Sequence, residues 1–143
     1  MNLSTPQSIL DAYAAAVYDR DAEAFLRLYD TKARVYDTWG VWVYEGTASR
    51  RLAIEGWFSS LGQERVKVSF DDVQITEDQA LAVLTATGRY AAISADGVEI
   101  RSMQNRFTWV LQRKDGDWAI VHEHTSVPIG FSDLKGILQR GDV

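Results

Sequence analysis

Apolar residues in the first part of the chain recur at helical spacing and predict two short amphipathic helices. The first helix begins after Ser4-Thr5-Pro6, where a hydroxyl can cap the helix and proline suits the first turn. Its apolar face is formed by Leu10, Tyr13, Ala14 and Val17. Asp21 can cap a second helix, whose apolar face is formed by Ala22, Phe25, Leu26 and Tyr29.

The pattern then changes from helix to strand and back to helix. Aromatic and β-branched residues between Val35 and Tyr44 predict a short hairpin that turns at Gly40. Gly46-Thr47 starts a third helix, and Gly62 ends it. The buried stripe of this helix is predicted to contain Ile54, Trp57, Phe58 and Leu61.

The chain after Gly62 is predicted to form long strands. Alternating residues begin at Val66, and apolar runs follow over residues 81–93, 99–113 and 118–126, with Asp-Gly turns between them. Helices followed by hairpins indicate one α+β domain over residues 1–143 with an antiparallel sheet. Residues 131–138 are expected to add one or two helical turns.

The strand over residues 81–93 is apolar on both faces. Leu81 and Val83 lie on one face, and Ala82 and Leu84 lie on the other. Because one helical layer can cover only one side of a sheet, we expect the other side to be buried in a homodimer.

Composition and the absence of known motifs exclude several classes of function. A formal net charge of −5 argues against a nucleic-acid surface, and the absence of cysteine excludes thiol chemistry and disulfides. The chain shows no signal peptide and no span of membrane length, so a cytoplasmic protein without membrane contact is expected. No phosphate loop, HExxH or GxSxG motif occurs, so we expect no cofactor. Two histidines with Asp37 make a poor metal site, so we expect no metal.

Several strings resemble a known superfamily. They are Gly46 and Trp57 of the third helix, Arg106-Phe107-Thr108-Trp109, and the run from Ile120 to Pro128. The chain resembles the nuclear-transport-factor-2-like superfamily, in particular its SnoaL-like polyketide-cyclase branch. The last run is also similar to the association domain of calcium/calmodulin-dependent kinase II. The resemblance implies helices packed on a strongly curved sheet, a cone-shaped cystatin-like roll with a pocket inside it.

His122-Glu123-His124 is the most pointed candidate cluster. On a strand the two histidines share one face and Glu123 lies on the other. Either His122 and His124 face the pocket, or Val121, Glu123 and Thr125 do; the resemblance to the kinase association domain favours the second set. A histidine in the pocket could act as general acid or base, and otherwise both are interface or core residues.

Asp37 and Arg106 are the other candidate catalytic residues. The resemblance implies that an aspartate near position 37 can act as a base, and surrounding tryptophans would raise its pKa. Alternatively, Asp37 only shapes the turn that follows. Arg106 is predicted to pair with Glu123 or Asp37, or to hold a substrate anion. Glu123 is the favoured partner, because strand register about the Asp115-Gly116 turn places Arg106 opposite Thr125 and diagonal to Glu123. Arg106 could also lie on the convex face at a dimer seam.

An excess of aromatic residues predicts a cavity for a hydrophobic small molecule. Residues expected to line it and bind substrate are Tyr13, Tyr29, Trp39, Trp42, Trp57, Phe58, Tyr90 and His122. Two hypotheses follow. The chain is a cofactor-free isomerase, dehydratase or cyclase that uses Asp37, His124, Glu123 and Arg106, or it is a non-catalytic ligand-binding or association module.

Overall fold

The computed structural model describes residues 2–141, which contain three helices packed on a curled six-stranded sheet. The elements are α1 (Pro6–Asp19), α2 (Ala22–Leu26), β1 (Tyr29–Tyr36), β2 (Tyr44–Glu45), α3 (Thr47–Ser60), β3 (Arg65–Glu77), β4 (Leu81–Ile93), β5 (Glu99–Lys114) and β6 (Asp117–Ser126). The predicted α+β class and curved sheet are confirmed. Within these residues no helix combines the length and the apolar character needed to cross a membrane.

Helix α1 is held at both ends by the residues that its sequence supplies. Thr5 Oγ1 accepts a hydrogen bond from the Ser8 amide at 3.1 Å, and Arg20 ends the helix in the left-handed conformation. Helix α2 is shorter than predicted, because it ends at Leu26 and Tyr29 already belongs to β1. This ending turns the Tyr29 side chain into the interior of the fold.

The strand order of the sheet is β2-β1-β6-β5-β4-β3, and every pair except one is antiparallel. β1 and β6 run parallel, a difference from the predicted antiparallel sheet. The reason is the long connection between them, since α3 and four strands intervene and the chain returns to β1 from the same end. The parallel pairing places β6 inside the sheet, beside the end of β1.

A β-bulge in β6 changes which side chains face the helices. Val110 is opposite His122, but the next residue, Leu111, is opposite Ile120, so Val121 has no partner. Ile120 before the bulge and Glu123 after it both lie on the concave side, where they are buried. The single extra residue therefore reverses the alternation of the strand.

The C-terminal segment is extended rather than helical, so the predicted helical turns over residues 131–138 are wrong. Ile129 and Gly136 form an isolated antiparallel bridge that closes a loop between them. The segment then follows β5 beyond the end of β6, where the Gln104 amide donates to the Leu138 carbonyl at 2.7 Å. These backbone bonds replace the helical ones.

Gly88 in β4 is predicted to be essential for packing. A Cβ there would lie 2.9 Å from Asn105 Oδ1 and closer still to the Phe107 ring. We expect Gly88→Ala to lower the free energy of unfolding by about 1–3 kcal/mol, measured by urea denaturation. Gly56→Ala is the control, because a Cβ in α3 meets nothing within 4 Å and alanine favours a helix. Equal effects of the two substitutions would contradict the packing argument.

Candidate functional site

A cavity of about 640 Å³ lies between the helices and the concave face of the sheet. Its wall is largely aromatic and apolar, with Tyr13 from α1, Trp57 from α3, Tyr90 from β4 and Trp39 from the loop after β1. A cavity of this size and character is typical of a small-molecule site.

One buried ion pair joins α3 to the cavity floor. Arg50 of α3 donates from Nη2 to Glu123 Oε2 of β6 at 3.0 Å. Glu123 Oε1 accepts from the Tyr29 hydroxyl and from Trp109 Nε1, the latter at 2.9 Å. The two residues are 6% and 1% exposed, and each carboxylate oxygen has a donor. The Glu123 charge is therefore fully compensated inside the fold.

Aromatic rings surround the guanidinium of Arg50. Its Cζ lies 4.9 Å from the ring centre of Tyr29 and 5.3 Å from that of Phe25. The Nε and Nη1 atoms have no hydrogen-bond partner within residues 2–141. Burial lowers the pKa of Arg50, but Glu123 and Tyr29 raise it, and the net pKa is well above the ordinary value. Arg50 is thus a fixed positive charge beside the cavity.

Asp37 borders the cavity and is held by a hydroxyl network. Thr125 Oγ1 donates to Asp37 Oδ1 at 3.1 Å and accepts from both the amide and the hydroxyl of Thr38, each at 2.9 Å. Burial raises the pKa of Asp37, opposed by Arg50 and reinforced by Glu123. Asp37 is therefore an oriented carboxyl that takes up a proton more readily than an exposed aspartate does.

Two tyrosine hydroxyls form a second polar group in the wall of the cavity. The hydroxyl oxygens of Tyr13 and Tyr90 are 2.6 Å apart, so one donates to the other. Burial raises the pKa of both well above that of an exposed tyrosine, so both keep their protons. One hydroxyl proton forms the hydrogen bond between the two tyrosines, and the other hydroxyl proton is available to a neighbouring acceptor.

Comparison with known proteins identifies the family. The sequence profile of the SnoaL-like domain matches residues 7–130. The chain belongs to the SnoaL-like domain family. A search of curated proteins found no match to this SnoaL-like domain.

Solved structures share this SnoaL-like fold at low sequence identity. A nuclear-transport-factor-2-like protein of unknown function from Pseudomonas putida KT2440 has a TM-score of 0.82 and 18% identity, covering 95% of this chain and 93% of that one. A candidate calcium/calmodulin-dependent protein kinase II association domain from Xanthomonas campestris has a TM-score of 0.71 and 19% identity, covering 84% of this chain and 83% of that one. A candidate dehydratase of the nuclear-transport-factor-2-like family from Streptomyces avermitilis has a TM-score of 0.73 and 16% identity, covering 90% of this chain and 96% of that one. At these identities the likeness shows the fold alone.

Four of the eight residues predicted to line the cavity border it in the structure, and Tyr29, Trp42, Phe58 and His122 do not. Those that do are Tyr13, Trp39, Trp57 and Tyr90, and the candidate catalytic residues Asp37 and Glu123 border the cavity as well. The Tyr29 side chain is buried behind the wall, where its hydroxyl donates to Glu123. Phe58 is buried in the core behind the cavity, where its ring meets Phe25. Trp42 is 94% exposed in the loop before β2, so its predicted place in the wall is wrong.

The two histidines face away from the cavity. His122 Nδ1 lies 2.7 Å from the Arg34 carbonyl, and both imidazoles pack edge-on against Tyr36. The bulge at Val121 places Glu123 and Thr125 inside and the histidines outside. The prediction that His124 carries a proton in the cavity and that His122 binds substrate there is therefore corrected. The alternative with Glu123 and Thr125 inside is the arrangement found.

Arg106 also lies outside the cavity. It is opposite Ser126 rather than Thr125, and its Nε donates to Ser126 Oγ at 3.1 Å. The predicted pairing of Arg106 with Glu123 is wrong, because the bulge shifts the register by one residue. Arg106 instead borders a separate cavity of about 380 Å³ beside the C-terminal segment. Arg50 holds the position at Glu123 that was predicted for Arg106.

Sequence reasoning missed Arg50 and Asn105, and a signal existed for each. Arg50 precedes Ile54 by four residues and so lies on the buried stripe of α3. Asn105 precedes Phe107 by two residues and therefore shares its face of β5. Among residues 2–141 no group of three or more His, Asp or Glu side chains is placed to ligate a metal.

Removal of Arg50 is predicted to destabilise the fold strongly. Arg50→Met would leave Glu123 charged and uncompensated, and we expect a loss of about 3–5 kcal/mol in urea denaturation. The double variant Arg50→Met with Glu123→Gln should recover part of this loss, because it removes the stranded charge. Arg106→Ala is the control and should change stability by less than about 0.5 kcal/mol, since that side chain is exposed. A harmless Arg50→Met would refute the assignment.

Proposed function

We propose that this SnoaL-like domain is an enzyme that transfers protons on a hydrophobic small molecule without a cofactor, as in an isomerisation, dehydration or ring closure. The observation that carries the proposal is the oriented, partly buried carboxyl of Asp37 in an aromatic cavity. The candidate dehydratase with the same fold supports this class of reaction.

Asp37 has the properties of a general base. Its raised pKa brings the carboxylate nearer to the basicity that removes a proton from carbon at ordinary pH. The hydrogen bond from Thr125 holds one carboxyl oxygen, so the direction of attack is set before substrate binds. A raised pKa and a fixed orientation are what a catalytic base needs, whereas an aspartate that only shapes a turn needs neither.

The neighbouring groups can stabilise the charge that appears on the substrate. The Tyr13 and Tyr90 pair can donate one proton to a developing oxyanion, and its low acidity keeps that proton in place. Glu123 already has a donor on each oxygen, so we assign it an electrostatic role in place of proton transfer. Its charge keeps Arg50 from lowering the pKa of Asp37 further.

We predict that Asp37→Asn removes base catalysis. The probe is 5-nitrobenzisoxazole, whose ring C–H proton goes to a base while its N–O bond breaks to give a coloured nitrile phenolate. We expect wild-type protein to accelerate this reaction and Asp37→Asn to lower kcat/KM by about 10²-fold or more. The wild-type rate should rise with pH through an apparent pKa above that of an exposed aspartate, because the base must be ionised.

Asp96→Asn serves as the matched control, because this aspartate lies exposed in the turn between β4 and β5. It should leave the rate unchanged. A wild-type rate no greater than that of acetate buffer, or an undiminished rate in Asp37→Asn, would overturn the enzymatic proposal. The domain would then be a non-catalytic ligand-binding module.

We also propose that the domain forms a homodimer through the convex face of the sheet. The helices cover only the concave side, and Leu81 and Val83 of β4 remain about half exposed on the other. Beside them lie Val110 and the aromatic group of Tyr36, His122 and His124. A second copy would bury these side chains, and the candidate association domain that shares the fold supports self-association.

Light scattering is predicted to give the mass of a dimer at micromolar concentration. Val83→Arg should shift the protein toward monomer, because a charge would be buried at the seam. Leu52→Arg is the matched control, because this apolar side chain is 82% exposed on α3, on the helical side of the domain, and the substitution should leave the mass unchanged. A wild-type monomer would exclude the dimer.

A further inference from the structure

Asn105 is a buried polar side chain that borders the cavity and, in the part of the chain that the structure describes, makes no hydrogen bond that stabilises the fold. It is 7% exposed, borders the cavity, and lies in register with Gly88 of β4. Its Oδ1 atom has no hydrogen-bond partner within residues 2–141. Glu123, by contrast, has a donor on each carboxylate oxygen.

An unpaired buried amide is unfavourable unless something else pairs with it. Burial removes the water that would bond the amide, and the loss is not recovered within the protein. Packing does not explain the residue either, because Oδ1 lies against Gly88, where an apolar side chain of similar size would also fit. The amide is therefore best explained by a ligand that pairs with it.

The position of Asn105 specifies where that ligand group lies. Neighbouring strands in the order β1, β6, β5, β4 bring Asp37, Thr125, Asn105 and Tyr90 across the cavity floor. Asn105 on β5 is two strand spacings from the end of β1, which is roughly 10 Å. Phe107, which is buried, lies between Asn105 and Thr125, because it shares the face of Asn105 on β5 and is opposite Thr125.

We propose that Asn105 binds a hydroxyl group of a hydrophobic substrate that presents its reacting atom to Asp37 about 10 Å away. A hydroxyl both donates and accepts, so it pairs with either end of the carboxamide. The substrate class is an elongated or fused-ring compound with polar groups at opposite ends. The inference rests on the small-molecule site of the proposed function but not on proton transfer by Asp37.

The test compares two probes of nearly equal shape, 2-naphthol and 2-methylnaphthalene, by equilibrium dialysis. The ratio of their affinities in wild type is compared with the ratio in Asn105→Leu. We expect the preference for the hydroxyl to fall about tenfold or more in the variant. Gln112→Leu is the matched control, since it makes the same kind of change on the opposite face of β5 and should leave the ratio unchanged.

Melting in the absence of ligand separates binding from structure. Asn105→Leu should melt at or above the wild-type temperature, because no protein hydrogen bond is lost; a lower temperature with an unchanged affinity ratio would make Asn105 structural. If Asn105→Leu does not fold, Asn105→Ala is measured in the same way. An unchanged ratio, or binding of neither probe by wild type, overturns the proposal. If the Asp37 experiment shows no catalysis but the affinity ratio still changes in Asn105→Leu, the proposed function fails while the binding role of Asn105 stands.

Discussion

The ion pair between Arg50 and Glu123 is the constraint on which the rest of the interior depends. Two charges removed from water are tolerated only when each is closely compensated. Here the compensation comes from β1, β5, β6 and α3 together, through Tyr29, Trp109, Glu123 and Arg50. The helix therefore cannot shift along the sheet without stranding a charge. The position of α3 in turn sets the wall of the cavity, where Trp57 lies two turns further along the same helix.

The pair also determines the electrostatic character of the cavity. Because it is neutral as a unit, it adds no net charge near the substrate, yet its two ends act in opposite directions on Asp37. Desolvation then remains the largest influence on that carboxyl. The site thus has one titratable group of shifted pKa beside an immobile dipole, an arrangement in which base strength is set by packing as well as by neighbouring charges.

The class of fold was accessible from the sequence, because helical spacing, alternation and Asp-Gly turns are local signals that agreed with one another. The composition of the cavity was accessible in part: Trp57 and Tyr90 were predicted, and Trp42 was wrong because loop residues carry no periodicity. The assignments of Arg106, His122 and His124 failed for a single reason. Alternation assigns faces only within an uninterrupted strand, and nothing in the residues from Trp118 to Thr125 marks Val121 as unpaired. Arg50 was overlooked although its spacing to Ile54 is helical, because a charge was not expected on a buried stripe.

That unpaired residue has a consequence for how such a domain can diversify. If β6 paired with β5 without this bulge, Val121 would lie opposite Val110, and the two faces of the strand end would exchange, bringing imidazoles inward and sending the carboxylate to the surface. Loss of the bulge would thus replace the whole set of reactive groups, whereas most single substitutions alter one of them. In this strand, pairing register is a stronger determinant of chemistry than side-chain identity. A scaffold with this property can acquire different reactions through the gain or loss of a bulge.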